Sequence, residues 1–182
     1  LTRGDGSLGT VKLLGGSINT AGLSGGQDGN LKVRASTAAL LADTSVVGTN
    51  VSGTRAVTVE AVKVLQASLN AGSSLAVVDQ TTQALAQASV ADLFDKSAGG
   101  SNGSKADQIA TRMAALKANT QVRAGVEIQS SGDMTLDSDI NLISWRSGAD
   151  DVLPAAPVNL TLRAGGGLYV NHSVSVGFLD NL

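Results

Sequence analysis

The chain contains no cysteine, which excludes disulfides, thiol catalysis and thiolate metal sites. That absence suits a secreted bacterial protein as well as many cytosolic ones. Aromatic residues are almost missing: Phe94, Trp145, Tyr169 and Phe178 are all there are. Aromatics normally supply much of the burial of a rounded core. Here Val, Leu, Ile and Ala must supply it, which suits a narrow interior of stacked aliphatic ladders and argues against a deep ligand pocket. No stretch is long and apolar enough to span a bilayer. The formal net charge is −2 and the basic residues are scattered, so the chain has no electrostatic footprint for nucleic acid. The opening LTRGDGSLGT has neither a Met nor a signal-peptide pattern, and the expectation is a piece of something longer.

What the chain does have is 22 glycines and an internal repeat. GVEIQSSGDMTLDSDINLIS begins at Gly125 and NLTLRAGGGLYVNHSVSVGF at Asn159, an offset of 34 positions. At that offset Val126-Glu127-Ile128 falls on Leu160-Thr161-Leu162, Met134-Thr135-Leu136 on Leu168-Tyr169-Val170, and Ile140-Asn141-Leu142 on Val174-Ser175-Val176. The turn Ser131-Gly132-Asp133 falls on Gly165-Gly166-Gly167. Three short strands repeated in tandem predict a solenoid. Alternation points Met134 and Leu136 inward and Thr135 outward. Ile128, Leu136, Ile140 and Leu142 should then stack on Leu162, Val170, Val174 and Val176, with neighbouring strands about 4.8 Å apart.

Three regions follow. Residues 1–72 are glycine-punctuated and strand-like. Val11-Lys12-Leu13 and Leu31-Lys32-Val33 lie 20 positions apart, followed by Ser17-Ile18-Asn19 and Ala39-Leu40-Leu41, and Arg55–Leu65 alternates as a strand. Residues 73–120 read as a helical insertion: one helix from Ser73 to Ser97, interrupted near Ser89, a Gly/Ser connection at 98–104, and a second helix. Ser104 with Asp107 forms a capping box for that second helix, and Ile109, Met113 and Leu116 form one apolar stripe on it, expected to be buried against the solenoid. Residues 121–182 hold the repeated unit. A coil needs about 20 residues, so an excursion at about 143–158, opening with Trp145-Arg146, fills the rest. The predicted class is mostly β: a right-handed parallel β-helix (β-solenoid) with a helical insertion.

The run GVEIQSSGDMTLDSDINLISWR followed by PVNLTLRAGGGLYVNHSVSVGF resembles a region towards the C-terminal part of filamentous-haemagglutinin-like exoproteins, the large proteins of two-partner secretion. The resemblance covers about 121–178, and the N-terminal coils and helical stretch fit it more loosely. It implies a right-handed β-helix, export through an outer-membrane transporter, and a role in adhesion at the bacterial cell surface or outside the cell. The motifs that carry it are structural rather than catalytic. The secretion domain that the transporter recognises is not in this sequence.

Several residues invite a sharper reading. Arg3-Gly4-Asp5 is the tripeptide that integrins recognise, although Gly4 and Gly6 also suit an ordinary turn. Asp133, Asp137 and Asp139, with Asp150-Asp151 beyond, are carboxylates of the kind that hold Ca²⁺ or perform acid–base work on polysaccharides. They align, however, with Gly167, Asn171 and Ser173, which favours solvated bends. His172 is the only histidine and falls at a bend. Gly165-Gly166-Gly167 is no phosphate loop, because a strand follows it. Trp145 and Arg146 either pin the excursion or meet a partner. No catalytic, cofactor-binding or metal-ligating residue is assigned, and the candidate partner-binding positions are Arg3, Gly4, Asp5, Trp145 and Arg146. The expectation is a non-enzymatic structural and adhesive segment contacting a host cell, a neighbouring cell or matrix. The alternatives are a self-associating fibre subunit and a polysaccharide-active enzyme.

Overall fold

A computed structural model of the chain describes residues 12–14, 17–22, 29–42, 45–47, 50–69, 73–114, 116, 120–146 and 157–176. In chain order its elements begin with β1 (Lys12–Leu14), β2 (Ser17–Asn19), β3 (Gly29–Ser36), α1 (Thr37–Ala42), β4 (Ser45–Val47), β5 (Asn50–Ser52) and β6 (Thr54–Gln66). There follow β7 (Ser68–Leu69), β8 (Ala76–Val78), α2 (Gln80–Phe94) and α3 (Lys105–Met113). The last are β9 (Gln121–Ser130), β10 (Met134–Leu136), β11 (Ile140–Asn141), β12 (Asn159–Ala164), β13 (Leu168–Tyr169) and β14 (Val174–Ser175). Two compact units result, each made from two separate stretches: residues 1–62 with 93–123, and residues 63–92 with 124–182.

In the first unit the strands pair in parallel: β1 with β4, β2 with β5, and β3 with β6. Val33 faces Val59 and Ala35 faces Ala61 across the last pair, and all four are buried. Each such valine contributes roughly 1.5–3 kcal/mol by leaving water. On the opposite face of the same strands Arg34 lies across from Glu60. Alternation ends at Ser36, whose hydroxyl oxygen accepts the Ala39 N–H at 3.1 Å and starts α1. The capping box at Ser104 and Asp107 forms in full, and α3 lies against α1 and β4. Ile109 and Met113 on the helix are buried, and Leu116, in the turn after its end, is buried as well. Gly53 turns the chain into β6 at φ +63°, and a Cβ there would lie 2.4 Å from the Ala21 backbone. Only glycine fits both demands.

In the second unit β9 pairs in parallel with β12, β10 with β13, and β11 with β14. β10 also pairs in parallel with β8, while β8 and β7 are antiparallel. Asp79 begins α2: its carboxylate Oδ1 accepts both the backbone N–H and the hydroxyl of Thr82 at 2.8 Å. These two bonds hold the Asp79 carboxyl below its ordinary value of 3.8, the N–H being the larger cause. Helix α2 runs unbroken through Ser89, whose hydroxyl donates to the Leu85 carbonyl at 2.7 Å instead of interrupting the helix. Thr82, Ala86 and Val90 form its buried stripe in this unit. Gln83 and Gln87 tie the helix to the Ser138 hydroxyl and the Ser144 carbonyl. No described helix is long and apolar enough to cross a membrane.

The right-handed β-helix expected from the repeat does not form. The sheets are mixed: the antiparallel β7–β8 pair interrupts the parallel pairing, three of the sheets have only two strands, and helices intervene between strands. The N-terminal spacing of 20 is not a coil length, because Lys12 pairs with Ser45 and Val33 with Val59. These offsets of 33 and 26 positions differ from each other, whereas a regular coil needs one. The physical cause is local. Thr37–Ala42, which contains the expected strand Ala39–Leu41, is helix, rich in Ala and Leu and capped by Ser36. The helix expected from Ser73 instead starts after a strand, since Ala76-Val77-Val78 is fully buried beside β10 and β-branched residues fit that pleated setting.

Candidate functional site

The 34-residue register holds pair by pair within the second unit. Val126 meets Leu160, Ile128 meets Leu162, Met134 meets Leu168 and Ile140 meets Val174. Burial, however, differs sharply between the copies. Met134 is 0 % exposed but Leu168 is 42 %; Leu136 is 1 % but Val170 is 55 %; Ile140 is 1 % but Val174 is 45 %. Val176 and Tyr169 are exposed as well. The second copy therefore carries the apolar pattern of a ladder without the burial of one. Its strands β12, β13 and β14 are each the last member of their sheet.

The backbone places one side of these strands beyond any partner among the described residues. Gly165 donates its N–H to the Ser130 carbonyl at 2.9 Å, while Ala164 is the residue in register with Ser130. In a parallel ladder this places the N–H and C=O of Ala164, and by alternation of Leu162 and Leu160, on the side away from β9. The same reading applies to the short strands. Met134 donates to Gly167 O while Leu168 is its partner, and Ile140 donates to Ser173 O while Val174 is its partner. Among the described residues no strand pairs with that outer side.

Two aspartates hold this edge to the strands behind it. Asp133 Oδ1 accepts the Gly167 N–H at 2.7 Å, and Asp139 Oδ1 accepts the Ser173 N–H at 2.8 Å. Each bond joins positions that coincide when the copies are aligned. A Cβ on Gly166 would stand 2.1 Å from Asp133 Oδ1, and one on Gly165 would stand 2.2 Å from the Ser131 carbonyl oxygen. The Gly165-Gly166-Gly167 run is thus the space into which the first copy's bend fits. His172 adds an exposed contact, Nδ1 lying 3.4 Å from Asp139 Oδ1. Asn171 donates its side-chain amide to Thr135 Oγ1 at 3.3 Å.

Alternation alone did not reveal Glu60 and Glu127, which are 2 % and 0 % exposed. In the first unit Arg34 Nε lies 3.0 Å from Glu60 Oε1, and the Lys32 ammonium lies against Oε2 as an ion pair without hydrogen-bond geometry. In the second, Arg163 Nε lies 3.1 Å from Glu127 Oε1 and the Gln129 amide donates to the same oxygen at 2.7 Å. The available signal was a cation on the paired strand, at or beside the glutamate's register. A buried carboxylate is tolerated when it is paired and hydrogen-bonded in this way. These glutamates are committed to holding neighbouring strands.

The other candidate positions are spread out. Arg3, Gly4 and Asp5, together with Asp150 and Asp151, lie outside the described residues. Trp145 is 3 % exposed and ends a short 3₁₀ turn, and Arg146 follows it at the surface. Asp137 is exposed, its backbone N–H bonded to the Val78 carbonyl. Among the described residues no three His, Asp or Glu side chains are grouped to hold a metal ion. In the first unit a shallow hollow of about 470 Å³ is lined by Ser101, Asn102, Gln108, Thr111 and Arg112. It brings together amide, hydroxyl and guanidinium groups but no general base beside a nucleophile.

No family model, no curated protein and no solved structure matches the chain.

Proposed function

We propose that this chain is a non-enzymatic, contact-making structural segment of a secreted bacterial exoprotein, exported through an outer-membrane transporter and displayed at the cell surface for contact with a host cell, a neighbouring cell or matrix. The observation that carries the proposal is the free edge of the second repeat. There Leu168, Tyr169, Val170, Val174 and Val176 are all 42–58 % exposed, on or directly after strands β13 and β14, whose outer side no described strand pairs. Large apolar side chains left exposed along a strand edge are a mark of interaction sites, and an unpaired strand edge is a template for docking. The carboxylates that would serve a polysaccharide-active enzyme support this reading too, since Asp133 and Asp139 spend their inner oxygens on backbone amides.

The test is adhesion. Beads coated with the chain should be retained on epithelial cells, bacterial cells or matrix, and beads carrying the double variant Val170→Lys, Val176→Lys should fall to the retention of uncoated beads. Equal retention of the two proteins, or no retention of either, would defeat the proposal.

A further inference from the structure

From the free edge of the second unit we infer that its partner is a second copy of this chain, docked about a two-fold axis with β12 antiparallel to its counterpart. This rests on reading that edge as the working surface. Three observations select the occupant.

Of this edge, the six-residue strand β12 is the part open to strand pairing. β12 contains no proline, no lysine and no bulge, the devices that normally keep edges apart. Its one charge, Arg163, is turned to Glu127 of the strand behind it.

The edge is also self-complementary. Leu160, Leu162 and Ala164 present outward N–H and C=O groups, so antiparallel pairing centred on Leu162 sets Leu160 opposite the partner's Ala164 and Leu162 opposite itself, each as a hydrogen-bonded pair. Side-chain parity is preserved: Thr161 faces the partner's Arg163 on the other face, no like charges stand directly opposite, and each Arg163 is held by its own Glu127.

A further parallel repeat is disfavoured by the bends. The first copy fastens the second through Asp133 and Asp139. The second copy has Gly167 and Ser173 at those places and so offers no carboxylate to the bends of another parallel strand set. An antiparallel partner needs neither. The exposed apolar column from Leu168 to Val176 would then continue the buried column of Met134, Leu136 and Ile140 into the partner. Two-fold docking closes on itself and stops at a dimer.

The experiment is sedimentation velocity from about 1 μM to about 1 mM, read together with amide exchange at positions 160, 162 and 164. The wild-type chain should dimerise, with these amides protected only where dimer is populated. The variant Ala164→Pro removes an N–H that faces outward, so it should leave the β9–β12 ladder and the circular dichroism intact while weakening dimerisation at least roughly tenfold. A variant that dimerises like wild type places the contact elsewhere and overturns the inference. Unlimited growth into filaments overturns the two-fold closure. A monomer whose edge amides exchange freely overturns the second copy as partner but leaves the edge available to a foreign surface. A monomer whose edge amides are protected means that the chain covers its own edge, and it overturns the contact-surface reading as well. If Ala164→Pro fails to fold, the concentration dependence of wild-type exchange decides alone.

Discussion

Gly166→Ala should be rescued in part by removing the Asp133 carboxylate, which lies in the bend of the first copy. The added methyl would stand 2.1 Å from Asp133 Oδ1 and 3.2 Å from the Asp133 backbone nitrogen. The carboxylate must therefore swing away and release the Gly167 N–H that it accepts at 2.7 Å. A bond to a charged acceptor contributes about 1.5–3 kcal/mol when sheltered, and solvent exposure of this one reduces it to about 1 kcal/mol. Asp133→Ala alone should thus cost about 1 kcal/mol. Gly166→Ala should cost the same bond plus the tight approach to the nitrogen, offset by about 0.4–1 kcal/mol from a stiffer unfolded chain. In the double variant the bond can be lost only once, so the two changes should cost about 1 kcal/mol less than their sum. Urea unfolding followed by the fluorescence of Trp145, the only tryptophan and buried in the same unit, measures all four corners of the cycle. Gly165→Ala is the control: its methyl would meet the Ser131 backbone oxygen at 2.2 Å, which Asp133→Ala does not move. Additivity of Gly166→Ala and Asp133→Ala within about 0.5 kcal/mol would refute the clasp.

Other outcomes follow from the same geometry. Asp79→Ala should destabilise the chain by about 1 kcal/mol near neutral pH through loss of the α2 cap. Because folding lowers the Asp79 pKa below 3.8, that contribution is complete above the unfolded carboxylate range and fades as pH falls through the folded value. A wild-type-minus-variant difference that stays constant down to about pH 2 would contradict this. Arg163→Met leaves Glu127 buried beside Gln129 with one fewer cation and should cost about 2 kcal/mol in urea. Adding Glu127→Gln should restore part of that loss, and a larger loss in the double variant would show that the carboxylate is held otherwise. Gly53→Ala forces an L side chain to φ +63° against the Ala21 backbone and should cost more than about 1 kcal/mol. An unchanged urea midpoint would contradict the close approach.

The second unit was legible where short-range pattern and pairing coincide. Aligned copies predicted the partners of Met134, Ile140 and Val126 because register in a half-buried sheet is set by which residues face inward. The capping box at Ser104 was legible because a cap is a purely local contract between a hydroxyl and the N–H three residues on. The β-helix was not a safe extension of these facts. A solenoid requires equal offsets along the whole chain, and Thr37–Ala42 turns helical where a strand was expected, while β7 and β8 pair antiparallel. The helix follows from its own Ala/Leu content and its Ser36 cap, and the antiparallel pair from what surrounds it; a repeat confined to residues 125–178 reports neither. The alignment shows the aspartates and suggests solvated bends, whereas each accepts a backbone N–H from the second copy. Their aligned partners, Gly167 and Ser173, are both the replacements and the donors. Nothing in the pattern of VTVEAV or GVEIQ marked Glu60 and Glu127 as buried, since alternation puts a charge outward without saying whether a neighbouring strand's arginine will lie over it.

The bend at Gly165–Gly167 gives the tandem copies a direction. One copy supplies the carboxylates and the other supplies bare backbone, so the two have become plug and socket and are no longer interchangeable units. Reversing their order along the chain would bring Gly167 to Asp133's role with nothing to offer, and would bring Ser131 to the place of Gly165, where a Cβ would stand 2.2 Å from a backbone oxygen. Duplicated sequence usually licenses recombination between copies. Here a crossover at the bend would break the fold it was meant to extend.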